Sequence, residues 1–254
     1  MKKDVKNKKT TKKIDSSLKK EENKEITKKE VKVNKKNILL SIQNASYRYS
    51  DAAEDEYALR DVSYDFEKGK IYAIRGRSGT GKTTLLSLIS GLERCTEGTI
   101  LFDGKNLKDI NLDTYRNSQI GIVFQSYNLL PYMTASENII LSMDASGGKI
   151  KNKKQKAIEL MESVGLKSSY ADRKVLRLSG GEQQRVAIAR SLSYNPKMIV
   201  ADEPTGNLDK QTESEILDIF KKLAHEEGKC VIIVTHSPNV CDVVDEVYDL
   251  KKVK

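Results

Sequence analysis

The sequence predicts an α/β domain built around a mainly parallel sheet, and two kinds of segment carry this expectation. Residues 198–201 and 230–234 are continuous apolar runs, which are typical of strands buried on both faces. Apolar side chains in residues 157–164 and 216–223 recur at the spacing of one helical face. Buried strands that alternate with amphipathic helices favour a parallel sheet flanked by helices. Further strands are predicted over residues 38–42, 57–66, 70–74 and 121–124.

The composition argues against several classes of protein. The chain has 254 residues, of which 38% are hydrophobic, so a sizeable core is expected. No apolar run approaches the ~18–20 residues that cross a bilayer, and none follows the charged N-terminus, so we expect neither a membrane span nor a secretory signal. Cys95, Cys230 and Cys241 are odd in number and lack metal-type spacing, which favours small buried thiols over a disulfide scaffold or a zinc site.

The basic charge of the chain belongs to its N-terminal segment. Residues 1–37 contain 15 lysines and six acidic residues, which account for the whole net charge of +9. The remaining residues are balanced, so no specific nucleic-acid binding is expected. Residues 1–37 carry too little apolar surface to offset the entropy of folding, and we expect a disordered extension before a domain over residues 38–254. A solvated leader is the first interpretation, and contact with anionic lipid is the alternative.

Residues 76–83 (GRSGTGKT) match the phosphate-binding loop (P-loop) G-x-x-x-x-G-K-[ST], between a predicted strand and a predicted helix. Glycines let successive backbone N–H groups converge on an anion, and the helix N-terminus adds positive potential. Lys82 is predicted to reach the β- and γ-phosphates of a nucleoside triphosphate, and Thr83 to ligate Mg²⁺. The residues predicted to hold the nucleotide here are Gly76, Ser78, Gly79, Thr80, Gly81, Lys82, Thr83 and Thr84.

Two carboxylates follow the buried strand over residues 198–201. Asp202 and Glu203 come at its carboxyl end, which is where parallel sheets bind their ligands. Asp202 is predicted to hold Mg²⁺, directly or through water, and Glu203 to polarise the water that attacks the γ-phosphate. Without the phosphate loop, the two acids would indicate only the end of a strand.

Residues 178–185 (LSGGEQQR) lie between the phosphate loop and the acidic pair. Here the sequence resembles the ATP-binding cassette (ABC) ATPases, whose signature motif has this form and is followed by a helix. Gln125, residues 206–209 (GNLD) and His236 match further motifs in the order of that family. The resemblance implies the ABC ATPase type of P-loop NTPase fold: a mainly parallel core sheet, an antiparallel β subdomain and a helical signature subdomain over roughly residues 126–185.

The resemblance also assigns roles to individual residues. Tyr49 best matches the aromatic that stacks on adenine, and Tyr47, two residues away, stays an alternative. Two chains would pack head to tail as a homodimer, so that the signature of one closes over ATP bound to the other. The signature and D-loop residues implied at that junction are Ser179, Gly180, Gly181, Glu182 and Asp209. The implied catalytic set is Glu203, His236, Lys82 and Gln125, and the implied Mg²⁺ ligands are Thr83, Gln125 and Asp202.

Three segments are similar to one branch of the family, which contains MacB and the lipoprotein-release ATPases: residues 124–131 (FQSYNLLP), 134–139 (TASENI) and 201–209 (ADEPTGNLD). This similarity implies a cytoplasmic ATPase, peripheral on the inner face of the cell membrane, that drives a separate transmembrane permease exporting a drug, peptide or lipoprotein. An ATPase that controls cell-wall enzymes or cell division through a membrane partner is the alternative. Val175 and Arg177 depart from the usual pattern in the segment that faces the partner.

Deleting residues 1–36 tests the two interpretations of the N-terminal extension. We expect ATPase activity to be unchanged, because every predicted site residue lies outside the deletion. If the lysines contact anionic lipid, the deletion weakens sedimentation with anionic vesicles at low salt, while neutral vesicles show no difference. Equal sedimentation of the two chains with anionic vesicles would contradict lipid contact and favour the solvated leader.

Overall fold

A computed structural model describes residues 37–53 and 55–253 of the chain, and its strands form two sheets. The strands are β1 (Ile38–Tyr47), β2 (Leu59–Glu67), β3 (Ile71–Arg75), β4 (Glu97–Phe102), β5 (Lys105–Asn106), β6 (Ile120–Val123), β7 (Met198–Asp202), β8 (Cys230–Thr235) and β9 (Glu246–Asp249). The core sheet is parallel, in the order β6-β7-β8-β3-β9. The second sheet is antiparallel, in the order β2-β1-β4-β5. The α/β fold class predicted from the sequence is confirmed.

Helices connect the strands of the core sheet. They are α1 (Lys82–Ile89), α2 (Leu112–Ser118), α3 (Ala135–Ala145), α4 (Lys153–Ser163), α5 (Gly180–Ser191), α6 (Lys210–His225) and α7 (Pro238–Cys241). Among the helices of the described residues, none has the length and hydropathy needed to cross a membrane. The disorder predicted for residues 1–37 falls outside the described residues, apart from Asn37.

The two faces of the parallel sheet pack into two separate cores. In β8, Val231 and Ile233 join a core with residues of α3 to α6, whereas Ile232 and Val234 join a core with α1 and the antiparallel sheet. Successive side chains of a strand point to opposite faces, so a strand covered on both sides must be apolar at every position. Burial of β8 on both faces explains the uninterrupted apolar run in its sequence.

The structure also corrects several boundaries. β1 extends to Tyr47, beyond the predicted end at residue 42, and its pairing is irregular around Asn44, which has a positive φ of 49°. β2 begins at Leu59 rather than at residue 57. β4, β5 and β9 were not predicted from the sequence: β4 begins with polar, exposed residues, β5 has only two residues, and β9 is only partly buried and has no continuous apolar run.

The helices α3, α4 and α5 pack against one another beside the core sheet, in the region where a helical subdomain is predicted. Thr134 caps α3 through a reciprocal capping box with Glu137, which satisfies backbone N–H groups at the start of the helix. The hydroxyl of Ser136 donates to the carbonyl of Ala171 (2.9 Å) and joins the start of α3 to the segment after α4. These contacts fix the position of the segment that leads into α5.

Tyr115→Phe tests the hydrogen bond that closes the C-terminal end of α1. Tyr115 is fully buried, and its hydroxyl donates to the carbonyl of Ile89 (2.8 Å), which has no partner within the helix. Removing the hydroxyl leaves that buried acceptor unpaired, so we expect the free energy of unfolding to fall by about 1–3 kcal/mol in urea denaturation. The control is Tyr132→Phe, at a side chain that is 84% exposed, and it should leave the free energy of unfolding unchanged. Equal stabilities for the two variants would contradict this role.

Candidate active site

The carboxyl ends of three adjacent strands place the predicted site residues at one edge of the core sheet. The parallel register pairs Arg75 of β3 with Thr235 of β8, and Asp202 of β7 with Val234 of β8. The phosphate loop after β3, the two acids at the end of β7 and the histidine after β8 therefore leave the sheet at nearly the same level. This edge is where open α/β sheets bind ligands.

The phosphate loop is shaped by its glycines and by its own hydrogen bonds. Gly81 is the N-cap of α1 and has a φ of 90°. A Cβ atom at Gly81 would lie 2.5 Å from the carbonyl oxygen of Ala58, so only glycine fits between the loop and the segment before β2. The ammonium group of Lys82 donates to the carbonyl of Gly76 (2.8 Å) across the loop. The loop thus holds its cation where a phosphate chain is predicted to bind.

A cleft of about 710 Å³ opens beside the phosphate loop. One arginine in its wall is neutralised, because Arg75 makes a two-pronged ion pair with Asp249 (2.7 and 3.0 Å). The remaining wall is rich in cationic and hydroxyl side chains, which suits a polyanionic ligand. The lining residues are Arg75, Gly76, Arg77, Ser78, Thr80, His236, Asp249, Leu250, Lys251 and Lys252.

Asp202 lies half-buried at the end of β7, next to a second carboxylate. Burial raises the pKa of Asp202 above its usual value, and the negative charge of Glu203 raises it further, whereas the ammonium of Lys82 opposes the shift. Ionisation of Asp202 is therefore more costly here than in water, and a nearby cation would lower that cost.

Glu203 is held in a conformation that is costly for a residue with a side chain. Its φ is 43°, in the left-handed region, and such backbone strain costs about 1–3 kcal/mol. Three contacts secure its carboxylate: the hydroxyl of Thr235 (3.1 Å) and the backbone N–H of His236 (3.3 Å) donate to Oε2, and Nδ1 of His236 lies 2.7 Å from Oε1. The resemblance implies catalytic roles for Glu203 and His236 separately, and the structure pairs their side chains with each other.

Two of the other predicted ligands lie exposed at the same edge. The side chain of Gln125 follows β6, and its amide reaches Gly206, where an added Cβ atom would lie 3.3 Å from Nε2. Thr83 lies in the first turn of α1 and is exposed. Both side chains carry oxygen atoms that are suited to Mg²⁺, and their roles remain predictions.

Tyr49 and Tyr47, the two alternatives for the adenine-stacking residue, differ in their exposure to solvent. Tyr47 is 7% exposed and belongs to the core, whereas Tyr49 is 49% exposed. The hydroxyl of Tyr49 lies 3.1 Å from that of Thr84 in α1, so its ring stands beside the phosphate loop. A planar ligand can reach the ring of Tyr49 but not that of Tyr47, which favours Tyr49 for the predicted stacking.

The signature residues form the N-terminus of α5. Ser179 caps this helix, and the carboxylate of Glu182 accepts a hydrogen bond from the backbone N–H of Ser179 (2.8 Å). A Cβ atom at Gly181 would lie 2.5 Å from Cγ2 of Thr212, so this glycine is required by the close packing of α6 on α5. Asp209 caps α6, and hydrogen bonds from the hydroxyl and backbone of Thr212 lower its pKa. Within the described residues, no hydrogen bond joins the signature to the phosphate loop.

Sequence reasoning missed the residues that hold Glu203 and His236 in place. Thr235 ends β8 after a run of apolar residues, and this change of polarity at the carboxyl end of a strand could have revealed it. Glu213 and Ser237 hydrogen-bond to each other (3.2 Å) close to the same pair. Glu213 lies in an ordinary amphipathic helix, where no sequence pattern marks it.

Comparisons with known proteins identify the family of this chain. The family described as ABC transporter matches residues 59–206. The ABC transporter ATP-binding protein YclH of Bacillus subtilis is 49% identical over 207 residues, which cover 82% of this chain and 91% of YclH. The lipoprotein-releasing system ATP-binding protein LolD of Francisella tularensis is 38% identical, covering 84% of this chain and 94% of LolD. The macrolide export ATP-binding/permease protein MacB of Syntrophobacter fumaroxidans is 42% identical, covering 80% of this chain but 29% of MacB.

Solved structures of the ABC transporter cassette MJ0796 of Methanocaldococcus jannaschii share the fold. Its dimeric structure superposes with a TM-score of 0.76 and 37% sequence identity, covering 85% of this chain and 97% of that cassette. A dimeric post-hydrolysis state of MJ0796 bound to ADP and Pi gives a TM-score of 0.77 at the same identity, covering 84% of this chain and 94% of that one. This chain belongs to the ABC transporter ATP-binding family and is an ABC-type ATPase.

Proposed function

We propose that this chain binds ATP between two copies of itself and hydrolyses it there to drive a transmembrane permease. The observation that carries the proposal is the meeting of the phosphate loop, Asp202 and the Glu203–His236 pair at one edge of the core sheet. The dimeric structures of MJ0796 support the two-copy arrangement. If the signature of one copy closes over the ATP bound to the other copy, the signature and the phosphate loop of one chain need not contact each other. No hydrogen bond joins them in the part of the chain that the structure describes.

Mg²⁺ fits the residues at this edge. Thr83 offers a hydroxyl, Asp202 a carboxylate and Gln125 an amide oxygen, and all three are hard donors. Within the described residues, no group of three or more His, Cys, Asp or Glu side chains forms a metal site. Mg²⁺ is commonly held by one or two carboxylates together with substrate phosphates, so this sparse donor set suits it. When bound, the ion neutralises charge that develops on the β- and γ-phosphates.

Several groups of the chain have separate proposed roles in ATP hydrolysis. The backbone N–H groups of the loop and the ammonium of Lys82 bind the phosphates and hold the γ-phosphate for in-line attack. The carboxylate of Glu203 accepts a hydrogen bond from the attacking water and orients it. The imidazole of His236 sets the direction of that carboxylate and contacts the γ-phosphate. In the dimer, the hydroxyl of Ser179 and the N-terminus of α5 from the second copy close over the same phosphate.

The helical region from residue 126 to 185 is the proposed docking surface for the permease. Four of its large apolar side chains are exposed to solvent, and exposed apolar surface is typical of a site that binds another protein. These side chains are Leu130 (44% exposed), Tyr132 (84%), Leu141 (44%) and Leu176 (67%). Gln125 directly precedes this region at the sheet edge, so we propose that changes at the nucleotide reach the docking surface through Gln125.

The nature of the substrate is proposed from relatives. MacB is named for macrolide export and LolD for lipoprotein release. We therefore place the chain on the inner face of the cell membrane, where its permease partner exports a drug, peptide or lipoprotein.

Glu203→Gln tests the role of the carboxylate. The amide keeps the size of the side chain but orients the water poorly, so we expect ATP turnover to fall by roughly 10²–10⁴-fold, the usual contribution of a general base. ATP should still bind, and the variant should accumulate as an ATP-bound dimer in analytical ultracentrifugation. Lys82→Ala serves as the contrast, because it should lose ATP binding and therefore the dimer. Near-normal turnover by Glu203→Gln would contradict the assignment.

Asp202→Asn separates the stability of the site from its function. A raised pKa means that ionised Asp202 destabilises the nucleotide-free fold at neutral pH, and the substitution removes this cost. We expect the variant to melt above the wild type at pH 7, and the two melting temperatures to converge as the pH falls toward the ordinary carboxyl pKa of 3.8. Mg²⁺-dependent ATP hydrolysis should be lost. A variant that melts below the wild type at pH 7 would contradict this account.

A further inference from the structure

Glu213 makes a set of contacts that the proposed chemistry does not use. It lies half-buried in the first turn of α6. Its Oε1 accepts hydrogen bonds from the hydroxyls of Thr205 (3.2 Å) and Ser237 (3.2 Å), and its Oε2 accepts one from the amide of Asn239 (3.1 Å). One donor from the loop after β7, one from the loop after β8 and one from α7 thus converge on one carboxylate.

The two loops are the ones that carry the catalytic pair. Thr205 lies two residues after Glu203, and Ser237 directly follows His236. Two further hydrogen bonds lead from Ser237 to Glu203. The backbone N–H of Ser237 donates to the hydroxyl oxygen of Thr235 (3.0 Å), and that hydroxyl donates to Oε2 of Glu203 (3.1 Å). The result is a closed ring that starts at Glu203 and returns to its carboxylate.

We infer that Glu213 is a positioning residue for ATP hydrolysis: it ties the loop after β7 to the loop after β8 and thereby keeps the Glu203 carboxylate against the His236 imidazole. The inference rests on the roles proposed for Glu203 and His236. Glu213 itself touches neither of them. It acts through Thr205 on one side and Ser237 on the other.

The chemistry of the contacts explains why a carboxylate is needed. An ionised carboxylate is purely an acceptor, with room for several hydrogen bonds, so it satisfies two hydroxyl donors and an amide donor together. The amide of glutamine would turn an N–H group toward at least one of these donors. Aspartate keeps the charge but is shorter by one methylene group, so it cannot reach both loops from the same turn of α6.

A second role of Glu213 must be separated from the first. A negative charge in the first turn of a helix also stabilises the helix through its dipole. This purely structural role predicts a lower melting temperature for Glu213→Gln with little change in turnover, and near-normal behaviour for Glu213→Asp, which keeps the charge. Positioning instead predicts that both variants lose turnover, including the one that keeps the charge.

The experiment measures kcat and KM for Mg²⁺-ATP hydrolysis, together with melting temperatures, for Glu213→Gln and Glu213→Asp. We expect kcat to fall roughly tenfold or more in both, which is the effect of one or two lost hydrogen bonds. KM for ATP should stay within about twofold, because Glu213 makes no contact with the phosphate loop. Asp218→Asn is the matched control on the same helix: its carboxylate is exposed, pairs with Lys221 and should be dispensable for turnover.

The same substitutions in the Glu203→Gln background complete the test. If Glu213 acts by positioning Glu203, adding Glu213→Gln to the Glu203→Gln variant should lower kcat almost no further, because the carboxylate to be positioned is already absent. Full additivity of the two effects, or an unchanged kcat in both single variants, would overturn the inference. A Glu203→Gln variant that turns over normally would show instead that the proposed function of the pair is wrong, so the two failures are distinguishable.

Discussion

The parallel register of β3, β7 and β8 is the constraint on which the rest of the site depends. These strands are neighbours in the sheet and end together, so a phosphate loop, two carboxylates and a histidine from distant parts of the sequence emerge side by side. The register is fixed in turn by burial, because residues of all three strands alternate between two apolar cores. Slipping one strand by a residue would exchange the faces of all its side chains, so packing of the core and geometry of the site are specified together.

The carboxylate that we propose as catalytic illustrates how a folded core supports a strained backbone conformation. Glu203 adopts a positive φ, and its backbone N–H donates to the carbonyl of Val234 in β8. Its carboxylate accepts hydrogen bonds from Thr235 and His236. Gln184 of α5 adds a contact from another direction, since its amide donates to the carbonyl of Pro204 (2.8 Å), directly after Glu203. The signature helix α5 and the loop after β7 are thus joined within one chain, although in the proposed dimer they contact different ATP molecules.

The sequence predicted those parts of the fold and site that depend on local pattern. The buried strand β8 was predicted because residues 230–234 are all apolar, and α1 was predicted because a helix follows a phosphate loop of this type. β9 was missed, since an edge strand with partly exposed side chains has no such pattern. The placement of Tyr49 beside α1, and the ring through Glu213, arise from side chains far apart in the sequence. The family resemblance singles out Tyr49 but not its contact with Thr84, and no local pattern marks Glu213, so only the tertiary structure shows these contacts.

The most direct test of the account is a mixing experiment on the composite site. One chain carries Lys82→Ala and the other Ser179→Asp, which keeps a good helix N-cap but sets a carboxylate against the γ-phosphate of the second copy. Each variant alone should be inactive, whereas a mixed dimer contains one site with an intact phosphate loop and an intact signature. We predict that mixing the two variants restores ATPase activity. A mixture as inactive as its components, or full activity of Ser179→Asp alone, would contradict ATP hydrolysis between two copies of this chain.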